Sequence, residues 1–298
     1  MRAIAILLAG GVIAGCGAPA AAPSGTPFRY TPMPTTPTTV APAAQATATP
    51  PPNFNALPVP AMEPTALSRQ LTMVELAIRD PKVTGDQLKW YGHLQQLIFG
   101  RLADFPEWKD AVIAAQPAHV QAPLRNGLEA GRQLRSMGGS PARALPDWKI
   151  LTPPPPEELI RYYREAEAAF GIHWYFLASI NLVESRMGRI RGDSSAGAQG
   201  PMQFMPATWA AYGQGDVNDY RDAIMGAARY LKAAGAPGDM PKALFAYNHS
   251  IPYVNAITLY ADAMRIDESV FRGYWGWQVY YWMESGPELL PEGWKKPA

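Results

Sequence analysis

Residues 17–62 limit the fold of this chain more than any other segment. Thirteen prolines lie between Ala18 and Pro64, and Arg29 is the only charged residue of the segment. Proline has a fixed φ and no backbone N–H, and the alanines and threonines around it supply little apolar surface for a core. We therefore expect residues 16–63 to be a disordered tether with polyproline II character, followed by the packed part of the protein.

The first sixteen residues, MRAIAILLAGGVIAGC, have the features of a secretion signal. Arg2 gives a short positive region, and the apolar run after it is too short to cross a bilayer as a mature helix. The ending IAGC resembles the lipobox of bacterial lipoproteins. That resemblance implies a signal peptide over residues 1–15, acylation of Cys16 and a lipid anchor that holds the protein to a membrane. The expected location is then extracytoplasmic, in the cell envelope; a plain signal peptide is the alternative.

Charge and cysteine content argue against several classes of function. The chain has 298 residues and a formal net charge of +1, whereas a nucleic-acid-binding protein needs a basic face. A single cysteine excludes an intramolecular disulfide and a cysteine-based zinc cluster. The histidines are scattered, without the two-histidine helical spacing of a metalloenzyme: His93, His119, His173 and His249. We expect no metal, no cofactor and no nucleic-acid partner.

The packed part of the chain begins with a helical pattern. Apolar residues recur every three or four positions, first at Leu67, Leu71, Val74 and Ile78 and then in three further segments up to Gly138-Gly139. Residues 64–139 are predicted to form a small helical accessory domain, because their charges fit solvated faces and their aromatic residues fit a core. Residues 140–156 are predicted to be a second linker.

Residues 157–266 again have helical periodicity and contain no long run with the alternation of a strand. Glycines and prolines divide them into short helices, with Asp219 and Asp239 placed to cap two of the helix starts. We expect a mainly α fold, with room for a short hairpin after Glu184.

Glu184 stands out because it follows an apolar helix, HWYFLASINLV. In a helix it shares one face with Leu177 and Ile180, so it points toward packed surface. Burial and the negative end of the helix dipole both raise the pKa of a carboxyl group, and a carboxylic acid that is protonated near neutral pH can act as a general acid. The alternative is an exposed glutamate that pairs with Arg186 or Arg189, and the helix alone does not decide between them.

Glu184 belongs to the first of four motifs that follow one another along the chain. They are Glu184-Ser185, Ser194 with the GAQG that follows it, MQFMP from Met202, and AYN from Ala246. Together they resemble the lytic transglycosylases, a peptidoglycan-cleaving family with a goose-lysozyme-like fold. The segment GPMQFMPATWAAYG is similar to the corresponding sequence of the membrane-bound lytic murein transglycosylase branch. The resemblance implies a lysozyme-like α-helical catalytic domain over residues 157–266.

The resemblance also implies roles for individual residues. Glu184 would be the single catalytic acid and then base: it protonates the oxygen between MurNAc and GlcNAc, and later takes the proton of the MurNAc C6 hydroxyl. The product is a 1,6-anhydro end, and the partner is a peptidoglycan glycan strand. Ser194 and Gln203 match positions that contact the sugar N-acetyl group. Tyr247 and Asn248 match groups that line the cleft and help to place or polarise the glutamate.

One carboxylate is chemically sufficient for this substrate. Most glycosidases need two, but an N-acetyl carbonyl oxygen can stabilise C1 of the sugar in place of the second carboxylate. Two alternatives remain. A muramidase with the same fold would use water, which Asp193, Asp216, Asp219 or Asp222 could position. A glycan-binding scaffold would have a cleft without activity.

Residues 267–298 form an aromatic-rich extension. Its aromatic residues are Phe271, Tyr274, Trp275, Trp277, Tyr280, Tyr281, Trp282 and Trp294. Such side chains stack on sugar rings, and they also pack well against protein. The sequence leaves open whether the extension is a glycan platform or folds back onto the catalytic domain.

Overall fold

The computed structural model describes residues 52–297, and that part of the chain is mainly helical. It contains eleven α-helices and two small antiparallel sheets. The mainly α fold predicted from the sequence is therefore confirmed. None of the described helices is both long and apolar enough to cross a membrane. Cys16 and most of the predicted tether lie outside the described residues.

Four helices precede the second predicted linker. They are α1 (Pro64–Arg79), α2 (Gly85–Asp104), α3 (Lys109–Ala114) and α4 (Ala118–Ser136). The apolar residues predicted to face inward on α1 are all fully buried. Residues 52–63, which precede α1, pack against α2. The Phe54 ring contacts Trp90 and Tyr91, and the Trp90 indole N–H donates to the Ala56 carbonyl oxygen at 2.8 Å.

Seven helices follow that linker. They are α5 (Pro156–Phe170), α6 (Trp174–Ser185), α7 (Pro206–Tyr212), α8 (Tyr220–Ala233), α9 (Met240–Tyr247), α10 (Ile251–Ile266) and α11 (Val270–Trp275). Asp219 and Asp239 cap α8 and α9 as predicted, since each carboxylate accepts a backbone N–H of the first turn. Gly171 ends α5 with a φ of 73°.

The two sheets are short. Strand β1 (Lys149–Ile150) pairs with β2 (Ile190–Arg191), and β3 (Val279–Met283) pairs with β4 (Gly286–Leu290) in a hairpin. The chain after Glu184 therefore contributes a strand, but its partner comes from the predicted linker rather than from a local hairpin. The β3–β4 hairpin of the C-terminal extension was not expected from the sequence.

One hydrophobic core joins the helices on both sides of the second predicted linker. Helix α10 contacts α4 of the first group and α6, the helix that carries Glu184. Buried residues from ten of the eleven helices, all except α7, belong to one cluster. The N-terminal helices therefore support the helix packed against the candidate site.

The C-terminal extension folds back onto α2. Tyr274, Trp275 and Trp277 are buried, so their ring faces are not available to a sugar. The indole N–H of Trp277 donates to Gln95 Oε1 at 3.0 Å. The side chain of Gln96 donates to the Gln278 carbonyl oxygen and accepts from its N–H, in the manner of a neighbouring strand. Tyr274, Trp275 and Trp277 therefore pack against protein and do not form a glycan platform.

Candidate active site

Glu184 lies in the last turn of α6. The helix ends at Ser185, because Arg186 (φ 55°) and Met187 (φ 61°) adopt the left-handed conformation. The N–H of Met187 returns to the carbonyl oxygen of Asn181 at 3.1 Å, which satisfies the end of the helix. The carboxyl group is thus close to the negative end of the helix dipole, where a charge on it is disfavoured.

The Glu184 side chain is buried and has one hydrogen-bond partner in the part of the chain that the structure describes. Only 8% of the residue is exposed. Its Oε1 accepts a hydrogen bond from the Tyr253 hydroxyl at 2.7 Å. Burial raises the pKa of Glu184 to about 7, and the hydrogen bond from Tyr253 opposes that rise. Near neutral pH the carboxyl group is therefore a mixture of the protonated and ionised forms, as an acid that later acts as a base requires.

The second carboxyl oxygen, Oε2, remains free for a ligand. It has no hydrogen-bond partner among residues 52–297. It is also absent from the fully buried polar atoms that lack a partner in this range, so solvent reaches it. Since Tyr253 fixes Oε1 as an acceptor, the proton of the neutral acid resides on the solvent-facing oxygen.

The two arginines after the helix do not pair with Glu184. Arg186 is buried and donates to the Leu182 carbonyl oxygen at 2.8 Å. Arg189 is fully buried, and its Nε lies 3.4 Å from Glu292 Oε1. The alternative of an exposed glutamate neutralised by Arg186 or Arg189 is therefore wrong. Both guanidinium groups serve the packing of the turn.

Buried hydrogen bonds fix the loop after β2 to the end of α6. Ser185 Oγ and Asn181 Nδ2 both donate to the Pro201 carbonyl oxygen, the second at 2.8 Å. Asn181 is held in turn by the Tyr163 hydroxyl, which donates to its Oδ1 at 2.6 Å. The Gly188 N–H donates to Ser185 Oγ at 2.9 Å. The serine of the Glu-Ser motif thus positions the loop beside the acid.

Gln203 occupies a tight turn in that loop. Gln199 and Phe204 exchange two backbone hydrogen bonds of 2.8 Å, which closes the turn. Gly200 (φ 73°) and Gln203 (φ 51°) supply its left-handed residues. The Gln203 side chain donates to the Gly200 carbonyl oxygen at 2.9 Å and is half-buried. Its amide oxygen has no partner among the described residues and remains an acceptor for a ligand.

Ser194 shapes the preceding part of the loop. Its Oγ accepts the backbone N–H groups of Ala196 and Ala198 at 3.2 and 3.0 Å, so its own proton is free to be donated. The neighbouring Asp193 is exposed, and its carboxylate is 3.5 Å from Gln199 Nε2. No hydrogen bond joins Ser194 or Asp193 to Glu184 in the described part of the chain.

Tyr247 lies beside Glu184, whereas no contact brings Asn248 to it. The Tyr247 hydroxyl donates to the Met202 carbonyl oxygen at 2.6 Å, which joins the end of α9 to the turn that carries Gln203. Burial raises the pKa of Tyr247 well above its usual value, and the nearby Glu184 charge adds to that rise. Asn248 follows α9 and is half-buried. Its side-chain amide forms no hydrogen bond within residues 52–297.

Tyr253 is the site residue that the sequence did not reveal. It lies in the first turn of α10, where its backbone N–H donates to the capping Ser250 Oγ at 3.4 Å. Burial and the Glu184 charge raise the pKa of Tyr253 well above its usual value, so it remains a donor at physiological pH. A tyrosine just after a helix cap that follows the AYN motif was the only available signal.

The arrangement can donate and reclaim one proton next to a set of polar groups. No cluster of histidine, cysteine, aspartate and glutamate suited to a metal ion occurs in residues 52–297.

Comparisons with curated proteins and with solved structures gave no match. A comparison with protein families gave one, which covers about a third of the chain and includes Glu184, Tyr247 and Tyr253. Residues 161–263 match the family described as the transglycosylase SLT domain, in agreement with the resemblance to lytic transglycosylases.

Proposed function

We propose that this protein is a lytic transglycosylase that cleaves the β-1,4 bond between MurNAc and GlcNAc in peptidoglycan. The observation that carries the proposal is the buried carboxyl group of Glu184, with a pKa of about 7 and one oxygen open to solvent. The match of residues 161–263 to the transglycosylase SLT domain supports the choice of substrate.

In the first step Glu184 acts as the acid. Its Oε2 gives a proton to the glycosidic oxygen, the bond between that oxygen and MurNAc C1 breaks, and the GlcNAc side leaves as an alcohol. The carbonyl oxygen of the MurNAc N-acetyl group stabilises C1 in place of a second carboxylate. Ser194 and Gln203 orient that amide through their free donor and acceptor.

In the second step the same group acts as the base. The ionised Glu184 takes the proton of the MurNAc C6 hydroxyl while O6 forms a bond to C1, so the acid is restored and no water is consumed. The Tyr253 hydroxyl stabilises the carboxylate between the two steps, since a hydrogen bond to the charged form favours it. Tyr247 supports the turn that carries Gln203 through its hydrogen bond to Met202. Asn248 is assigned to the cleft by the family resemblance, and no contact joins it to Glu184.

The lipobox supports an anchored location for this activity. Cleavage before Cys16 and its acylation would attach the protein to a membrane, with the proline-rich tether between the anchor and the enzyme. A Cys16→Ala variant is expected to leave the membrane fraction while its activity on isolated peptidoglycan is unchanged. Membrane attachment of that variant at the wild-type level would contradict the lipid anchor.

Mass spectrometry of peptidoglycan digests tests the reaction. The wild-type protein is expected to release 1,6-anhydroMurNAc ends, and Glu184→Gln to release none, because an amide cannot donate and reclaim the proton. Reducing ends in place of anhydro ends would identify a muramidase. A wild-type protein that binds peptidoglycan without cleaving it would be a glycan-binding scaffold.

A further inference from the structure

Three cationic residues form a row across neighbouring extended segments. Lys149 in β1 is the register partner of Arg191 in β2. On its other side Lys149 is the antiparallel bridge partner of Lys295. Hydrogen bonds of 2.8 Å between Ile150 and residues 293–294 hold that second pairing. We call Lys149, Arg191 and Lys295 the cation row.

The row lies on the solvent side of this small ladder. Ile150 and Ile190 are register partners and are buried on the opposite side. Directly opposed residues of an antiparallel pair point to the same face, and consecutive residues alternate between faces. Lys149 and Lys295 are accordingly exposed, and Arg191 is half-buried.

The row has no carboxylate partner within residues 52–297. None of its members takes part in an ion pair. Arg191 Nη1 donates to the Asn218 carbonyl oxygen at 2.8 Å, and the Arg191 guanidinium also interacts with Tyr220, 5.9 Å from the centre of its ring. The exposed Asp147 and Asp193 lie near the row in sequence, but neither pairs with it. Like charges at directly opposed positions destabilise a ladder, so this arrangement is costly without an anion.

The row is fixed to the loop of the candidate active site. Arg191 precedes Ser194 by three residues. The indole N–H of Trp148, the residue before Lys149, donates to the Asp193 carbonyl oxygen at 3.2 Å. Gly192 (φ 143°) packs against Trp148 so closely that a Cβ there would lie 2.8 Å from the indole ring. These contacts hold the row and the Ser194 loop together.

We infer that the cation row binds the peptide stems of peptidoglycan through their free carboxylates. The inference rests on the proposed function, because the stems are attached to the MurNAc residues of the glycan strand. Peptide stems carry free carboxylates that are ionised at neutral pH, which makes them complementary to a row of cations. The row thus favours glycan strands that still carry their stems over bare ones.

The test compares binding to glycan chains that carry their peptide stems and to the same chains without stems, in which each MurNAc keeps only its lactyl carboxylate. The protein carries Glu184→Gln, so that neither ligand is consumed, and the ligands are soluble glycan chains with stems and the same chains freed of stems by an amidase. The variant pair Lys149→Glu/Lys295→Glu is expected to bind stem-bearing chains about 3- to 10-fold more weakly, since exposed ion pairs contribute modestly. Binding of bare chains stays the same, and high salt removes the difference.

The matched control is Lys82→Glu/Lys109→Glu, which changes the net charge equally at two exposed lysines of the N-terminal helical segment that form no ion pair within residues 52–297. It is expected to bind both ligands like its parent. Unchanged binding of stem-bearing chains by the Lys149/Lys295 variant overturns the inference, as does an equal loss for both ligands. If that variant instead loses only its affinity for vesicles of anionic lipid, the row faces a membrane and the inference is wrong. A parent that binds neither glycan contradicts the proposed function itself.

Discussion

At Glu184, desolvation outweighs the one hydrogen bond that favours the charged carboxylate. The pKa rises from 4.5 to about 7, although the Tyr253 hydroxyl acts in the opposite direction. A shift of this size corresponds to roughly 3 kcal/mol of preference for the neutral acid. Tyr253 therefore adjusts the acid without abolishing its ability to hold a proton.

Removal of the Tyr253 hydroxyl should move the pH dependence of cleavage. Its hydrogen bond lowers the pKa of Glu184, so Tyr253→Phe raises that pKa, by about one unit for a bond to a charged group. The alkaline limb of the kcat profile then moves to higher pH. The maximum of kcat falls about 10- to 100-fold, because the carboxylate between the two steps loses its donor. Rates measured from pH 5 to 9 test both effects.

Tyr260→Phe provides the control for this experiment. Tyr260 is a buried tyrosine on the same helix and has no hydrogen bond to Glu184. Its profile is expected to keep the wild-type alkaline limb. The same limb in wild type and Tyr253→Phe would show that the hydrogen bond does not set the protonation of Glu184.

The raised pKa also makes the folded state pH-dependent. Between pH 4.5 and about 7 the unfolded chain ionises Glu184 while the folded chain keeps it protonated, so stability falls as pH rises through this window. Glu184→Gln removes that loss. The variant should gain up to about 3 kcal/mol over wild type at pH 8 relative to their difference at pH 4.

Urea unfolding of both proteins at the two pH values measures this gain. Glu107→Gln, at an exposed residue without an ion pair, is the control and should show no such dependence. A Glu184→Gln variant whose stability follows wild type at both pH values would argue against a buried, proton-holding carboxyl group.

The sequence pointed to Glu184 as the candidate acid but not to Tyr253, the residue that donates to it. Glu184 was visible because a carboxylate at the end of an apolar face contradicts the helical pattern, and the direction of its pKa shift follows from burial alone. Tyr253 was not visible, because the apolar spacing of Val254, Ile257 and Met264 accounts for α10 without it. The contact that defines Tyr253 joins two helices 69 residues apart and depends on their packing.

At the scale of elements, the site depends on a loop with little regular structure. Its turn carries Gln203 and is closed by the pairing of Gln199 with Phe204. Gly200 (φ 73°) sits against the Val217 carbonyl oxygen, and a Cβ there would lie 1.9 Å from it. By contrast, a Cβ added at Gly197 (φ 84°) would meet no other heavy atom within 4 Å.

Alanine substitutions at these two glycines distinguish the cost of backbone strain from the cost of a steric clash. Gly197→Ala should cost about 1 kcal/mol, the penalty for a left-handed alanine. Gly200→Ala adds a clash with backbone, so it should cost at least about 2 kcal/mol more and displace the turn that carries Gln203. We expect cleavage to fall about 10-fold or more in Gly200→Ala and to remain near wild type in Gly197→Ala. Equal stability and activity of the two variants would contradict this role of the turn.

The helices were predictable where the sequence carries a local pattern, and the strands were not. Apolar spacing predicted α1, and the carboxylates of Asp219 and Asp239 predicted two helix starts, because each signal acts within one or two turns. Strand β1 pairs with residues about forty positions away, which no local pattern specifies. The β3–β4 hairpin lies in a run of tyrosine and tryptophan that fits a strand or a packed helix equally well.

At the scale of the whole molecule, the N-terminal helices and the C-terminal extension support the site from behind. Helix α10 presents Tyr253 to Glu184 and is packed against α4. Helix α2 meets α11 at a contact between backbones: Gly92 faces Gly273 and Gly276, with no space for a side chain. Because a single core spans these elements, we expect damage at the α2–α11 contact to reach the helices that carry Glu184 and Tyr253.

Alanine at Gly92 should therefore destabilise the whole protein. A Cβ there would lie 2.4 Å from the Gly273 carbonyl oxygen, a backbone atom that cannot move alone, so we expect a loss of about 2 to 3 kcal/mol in the free energy of unfolding. Gly131→Ala is the matched control in helix α4. Its nearest neighbour is the end of the flexible Arg135 side chain at 3.2 Å, and alanine improves helix propensity by up to about 1 kcal/mol. Thermal unfolding followed by helical circular dichroism and by residual cleavage activity should show one shared transition, lowered in Gly92→Ala and not in Gly131→Ala. Separate transitions for helix content and activity would mean that the two groups of helices do not unfold as one unit.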